Sequence, residues 1–149
     1  MIEFHDDGVI PTTRDVLWRL LQAHQEDGTI GSIHPLVIQQ TTVERSSTGS
    51  IVDRIIDVRG RRMRSRWKLS YRPPEFSRWE ILDSEGPWST GSYLENTYAE
   101  ATGGTRIVTH GSLHVKVLPF FLPQGLVIRR VFRDIDAEDL AFLPKLPPP

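Results

Sequence analysis

A chain of 149 residues with a formal net charge of −1 and 38% hydrophobic residues has the make-up of one domain with a sizeable buried core, and not of a general polyanion binder. It contains no cysteine, which excludes disulfides, thiolate metal sites and a cysteine nucleophile. No apolar run approaches the about 18 residues that span a bilayer, and no charged leader precedes an apolar run at the N-terminus, so the chain reads as a cytoplasmic protein without a transmembrane segment.

In chain order, Ile2 to Asp7 alternate as a short strand, with Ile2, Phe4 and Asp6 on one face and Glu3, His5 and Asp7 on the other. Gly8 is placed to bulge it. Thr12 is suited to cap a helix, with Asp15 three residues on, and Val16, Leu17, Trp18, Leu20 and Leu21 give that helix a wide apolar arc. Residues 25–35 are polar and broken by glycine, enough for a short second helix or a loop. Strands are then expected near 36–45, 50–58, 61–71, 77–83, 89–100 and 105–117, divided by turn residues such as Arg59-Gly60 and Thr102-Gly103-Gly104. The turns are short, so neighbouring strands pair antiparallel as a meander. Over 124–142, Ile128, Val131, Phe132 and Ile135 recur at helical spacing, Arg129, Arg130, Arg133 and Asp134 fall largely on other faces, and Pro144 stops the helix. The single domain is expected over 1–143, with a proline-rich tail at 144–149.

Charges fix the register. A two-residue turn at Arg59-Gly60 sets Asp57 opposite Arg62 and Asp53 opposite Arg66 on one face. The other face then pairs Ile56 with Met63 and Val52 with Trp67, and it carries Arg54 inward beside Ser65. Closing the last hairpin at Thr102-Gly103 sets Tyr98 opposite Ile107, Asn96 opposite Thr109, Leu94 opposite Gly111 and Glu95 opposite His110. Closing the first hairpin over Ser47-Thr48 sets Val43 opposite Val52 and Thr41 opposite Arg54.

This order of elements resembles the START-like helix-grip superfamily, which includes the birch-pollen-allergen-like proteins and the polyketide cyclase/dehydrase and lipid-transport family. Ile10-Pro11 leading into Val16-Leu17-Trp18 is similar to that family's strand-to-helix entry, and Gly103-Gly104-Thr105-Arg106-Ile107 to the turn that opens its last strand. The resemblance implies an α+β helix-grip fold, β-α-α-β6-α, in which a seven-stranded antiparallel sheet curls around a long C-terminal helix. It also implies a hydrophobic cavity between the two, with no universal catalytic set to transfer.

The inner face is thus the candidate site for a small hydrophobic or amphipathic molecule. Trp67, Trp79, Ile128 and Phe132 supply apolar surface, and Thr41, Arg54, Ser65, Asn96, Tyr98 and Thr109 the polar groups. An inward guanidinium must meet a carboxylate, water or an anionic ligand, which singles out Arg54. Cyclase or dehydratase chemistry in the same cavity is the alternative, with Tyr98, Asn96 or Arg54 polarising a carbonyl. No inward carboxylate or histidine base stands out to favour it. His110 and His114 share a strand face but stand about 13 Å apart, too far to chelate one ion, so no metal or cofactor is expected. The ladder Arg62, Arg64, Arg66 and Lys68 sits on the outer face with Asp53 and Asp57 against it, a solvated surface rather than a specific nucleic-acid interface.

Overall fold

A computed structural model describes residues 1–23, 37–58, 60–86 and 88–114. Its elements are β1 (Ile2–Ile10), α1 (Arg14–Ala23), β2 (Val37–Ser46), β3 (Gly49–Val58), β4 (Arg61–Arg72), β5 (Phe76–Ser84), β6 (Tyr93–Ala101) and β7 (Gly104–Leu113). All pairings are antiparallel, in the order β1-β7-β6-β5-β4-β3-β2. The strand after the helix therefore starts at the edge farthest from β1, and the meander returns until β7 lies beside β1.

The fold class needs a correction. Among the described residues the architecture is a seven-stranded antiparallel sheet with one short helix, not β-α-α-β6-α around a long C-terminal helix. The expected second helix or loop at 25–35 and the helix at 124–142 lie outside the described residues. A helical period states which face a segment would bury, but isolated helical propensity is weak without a packing partner, so the spacing of Ile128 and Phe132 does not establish a grip.

The register of β3 on β4 follows from the charges: Asp57 faces Arg62, Asp53 faces Arg66, Val52 faces Trp67 and Arg54 faces Ser65. The β6–β7 pairs are also as expected, from Tyr98 with Ile107 to Leu94 with Gly111. The first hairpin is not. It closes at Ser46 opposite Gly49, but a bulge at Val43 inserts one residue, so Thr42 faces Val52, Gln40 faces Arg54 and Thr41 faces Asp53. Strand β1 runs to Ile10 in unbroken register through Gly8, so the bulge expected at Gly8 is absent.

Alternation decides what is buried. Val52, Leu69 and Ile81 are 1%, 2% and 2% exposed, and full burial of each such side chain is worth about 1.5–3 kcal/mol. Helix α1 adds Leu17, Leu20 and Ala23 to the core, and Trp18 meets Tyr71 edge-on at 5.4 Å between ring centroids. Its cap is Thr13 rather than Thr12: Thr13 Oγ1 accepts from the Val16 N–H at 3.4 Å. The Thr12 carbonyl instead takes the Thr105 hydroxyl at 2.7 Å, tying the helix entry to β7. Strand β6 begins at Tyr93 because the preceding residues are engaged with the end of β7. The Ser89 N–H donates to the His114 carbonyl at 2.7 Å, and the Ser92 hydroxyl accepts from the His114 N–H at 2.9 Å.

Candidate functional site

One face of the sheet carries Val52, Arg54 and Ile56 on β3, Met63, Ser65, Trp67 and Leu69 on β4, Ser77, Trp79 and Ile81 on β5, Leu94, Asn96 and Tyr98 on β6, and Ile107 and Thr109 on β7. Its middle row is closed, but Trp67, Trp79, Leu94 and Ile107 stay half-exposed. Leu94 lies over the buried Gly111, where a Cβ would sit 2.5 Å from Leu94 Cδ2 and 2.9 Å from the Tyr93 carbonyl oxygen.

Arg54 lies on this face, half-buried, as the register required. Its Nε donates to Gln40 Oε1 at 2.7 Å, and its guanidinium carbon stands 5.0 Å from the centre of the Trp79 ring, a cation–π arrangement. Gln40 is 6% exposed and holds the position expected of Thr41. Thr41 itself is exposed and opposite Asp53, so it is removed from the site. The bulge at Val43 is the reason: one inserted residue exchanges the faces of Gln39 to Thr42, until a second irregularity before Gln39 sets Val37 opposite Ile56. The hydrogen bond to Gln40 and the Trp79 ring together orient the guanidinium on this face.

The remaining polar residues form local pairs. The Trp67 indole N–H donates to Ser65 Oγ at 2.8 Å, so the Ser65 hydroxyl is directed along its own strand. The Thr109 hydroxyl donates to Asn96 Oδ1 at 2.7 Å. Tyr98 OH and Ser77 Oγ are 2.9 Å apart, with Ser77 fully buried. The structure thus brings together Arg54 with Trp79, Ser65 with Trp67, and Asn96 with Thr109. Ile128 and Phe132 lie outside the described residues. Sequence reasoning missed Gln40 and Ser77, and it left open which face of β1 turns inward, that of His5 or that of Phe4 and Asp6. Phe4 is 9% exposed and opposite Gly111, so Asp6 belongs to the inner face as well.

The outer face is ionic. Asp53 accepts from Arg66 through both oxygens, at 2.7 and 2.8 Å, and from Arg64 at 2.7 Å. The Arg66 hydrogen bond leads in holding the Asp53 carboxyl down at about 2, with Arg64 adding to it against the opposing effect of burial. Asp57, aligned with Arg62, turns its carboxylate to the Gly60 N–H at 2.8 Å and braces the turn. Asp7 is likewise below its ordinary value, chiefly through its hydrogen bond with Arg106. His110 Nε2 stands 3.6 Å from Glu3, with His5 across the strand pair. Among the described residues no three His, Cys, Asp or Glu side chains are grouped to hold a metal ion, and no helix is long and apolar enough to cross a membrane. A hollow of about 320 Å³ opens beside the β2–β3 hairpin, lined by Glu44, Ser46, Ile51, Lys68 and Leu82 among others, and it shares no residue with the expected site.

No protein-family model matches this sequence, and no curated protein matches it. Its fold does have counterparts among solved structures. Ara h 8.0201 matches 97% of this chain over 99% of its own, with TM-score 0.74 and 13% identity. The di-domain ARO/CYC StfQ from the steffimycin biosynthetic pathway matches 95% of this chain with TM-score 0.75 and 14% identity; the match covers 49% of StfQ, so this chain spans about half its length. A START superfamily protein from Mycobacterium smegmatis matches 93% of each chain with TM-score 0.65 and 10% identity. At these identities the likeness is one of fold.

Proposed function

We propose that this chain, whose fold is that of the START-like superfamily, binds a small hydrophobic or amphipathic organic molecule on the inner face of its sheet. The observation that carries the reading is the Arg54 corner: a half-buried guanidinium hydrogen-bonded to Gln40 and laid against Trp79. A cation presented beside an aromatic plane suits a ligand with an acidic or carbonyl end and an apolar body. Trp67 offers further apolar surface two strands away from Gln40, with its indole N–H already satisfied by Ser65.

The test is titration of the purified protein with 2-naphthoic acid, followed by proton–nitrogen correlation spectra. The two indole N–H signals of Trp67 and Trp79 and the Arg54 Nε–H signal are expected to shift together and saturate. Shifts confined to outer-face residues such as Arg64 and Lys68 would move binding to the basic ladder and end the reading.

A second reading is polyketide cyclase- or dehydratase-like chemistry on the same face. The Thr109–Asn96 and Tyr98–Ser77 hydrogen bonds favour it, because they fix polar groups that can orient and polarise a carbonyl. The likeness to an ARO/CYC protein bears on it as fold only. Turnover of a poly-β-ketone thioester that is lost in Tyr98→Phe and Asn96→Leu, with the fold intact, would select this reading over simple binding.

A further inference from the structure

A lane of polar side chains crosses the inner face from its β1 margin. Asp6 is opposite Thr109, Thr109 is opposite Asn96, and Asn96 is opposite Ser77, so four consecutive strands each contribute one residue to one row. Exposure falls steadily along it: Asp6 is exposed, Thr109 and Asn96 are half-buried, and Ser77 is 0% exposed. The next inner-face residue on β1 is Gly8, where an added Cβ would meet nothing within 4 Å. The face is therefore open to solvent at Asp6 and closes towards Ser77.

The lane has hydrogen-bonding capacity to spare. Thr109 donates its hydroxyl proton to Asn96 Oδ1, which leaves the Asn96 amide hydrogens for an acceptor on a guest. Asp6 has no hydrogen bond or ion pair among the described residues, whereas its neighbour Asp7, on the opposite face, is spent on Arg106. Two strand spacings separate Asp6 from Asn96, about 10 Å.

We infer that Asp6 marks the mouth of the inner face and is a specificity-determining residue, selecting guests with a cationic or hydrogen-bond-donating end at Asp6 and a carbonyl or hydroxyl oxygen deeper, at Asn96. The proposal rests on the inner face being a binding surface but not on Arg54. From β1 to β3 the row order counts five strand spacings, roughly 24 Å along the sheet, so a small guest at Asp6 is read independently of that arginine.

The experiment measures dissociation constants of 2-naphthylmethylammonium and the uncharged 2-naphthalenemethanol for the wild type, Asp6→Asn and Asp7→Asn at low ionic strength. Loss of one nearby unit charge in a watery setting is expected to weaken the cation about fivefold in Asp6→Asn, while the alcohol changes by less than about twofold. The loss should fade at high salt. Asp7→Asn, which removes the same charge from the outer face, should leave the ratio of the two constants unchanged. Equal changes for both probes in Asp6→Asn, or the same discrimination loss in Asp7→Asn, would overturn the proposal. If the wild type binds 2-naphthoic acid in an Arg54-dependent manner but Asp6→Asn changes nothing, this inference alone falls. If the wild type binds no naphthyl probe at all, it falls together with the reading it rests on.

Discussion

Single residues on this sheet are governed by which face they take. Asp53 is outward and held near 2 by Arg66 and Arg64, below the about 3.9 of an unfolded aspartate. Its stabilising contribution is therefore complete above about pH 4 and is lost as pH falls through about 2. Denaturant midpoints measured across that window should fall less steeply for Asp53→Asn than for the wild type; parallel curves would mean the Arg66 pairing carries no linkage. Ser50 is inward, 4% exposed, and its hydroxyl is buried without a hydrogen-bond partner among the described residues. Such a group costs about 1–3 kcal/mol, so Ser50→Ala should raise the melting temperature by about 2–4 °C or more, and a lower melting temperature would show that the hydroxyl is satisfied in solution. Arg54 and Ser65 were legible as inward because acid had to face base on the other side. Thr41 was misplaced because nothing in Thr-Thr-Val-Glu announces a bulge; the insertion at Val43 is a compromise of the folded edge strand, and Gln40 took the inward position instead.

At the scale of elements, turn chemistry and charge alternation were enough for β3–β4 and β6–β7, whose registers pair Val58 with Arg61 and Ala101 with Gly104. They were not enough at the ends. The cap moved from Thr12 to Thr13 because the Thr12 carbonyl is committed to Thr105 across the sheet, a tertiary contact with no local signal. Glycine gives a paired test of the same packing. At Gly49 a Cβ would meet the Leu69 carbonyl oxygen at 2.2 Å, so Gly49→Ala should cost about 1–3 kcal/mol or more by forcing β3 and β4 apart. At Gly8 nothing lies within 4 Å, so Gly8→Ala should be neutral or slightly stabilising. Thermal unfolding of both variants checks the contrast; equal losses would mean that β3 does not approach β4 as closely as the structure places it.

For the whole molecule, the antiparallel sheet was readable because β2 to β5, and β6 with β7, follow one another through short turns, and the order of elements pointed to a fold that Ara h 8.0201 and a START superfamily protein share. The long C-terminal helix was read from helical spacing and from the resemblance, over residues that lie outside the described ones, and the architecture established among the described residues is the sheet with one short helix. The central claim is that the inner face receives an acidic amphiphile at Arg54. Its most direct test is the dissociation constant of 2-naphthoic acid for the wild type and for Arg54→Met, with circular dichroism and thermal unfolding verifying that the variant folds. Loss of a charge-assisted hydrogen bond of about 1.5–3 kcal/mol predicts an affinity at least about tenfold weaker in Arg54→Met. An unchanged constant in a folded variant would contradict the account and leave the face a packed core with an ornamented edge.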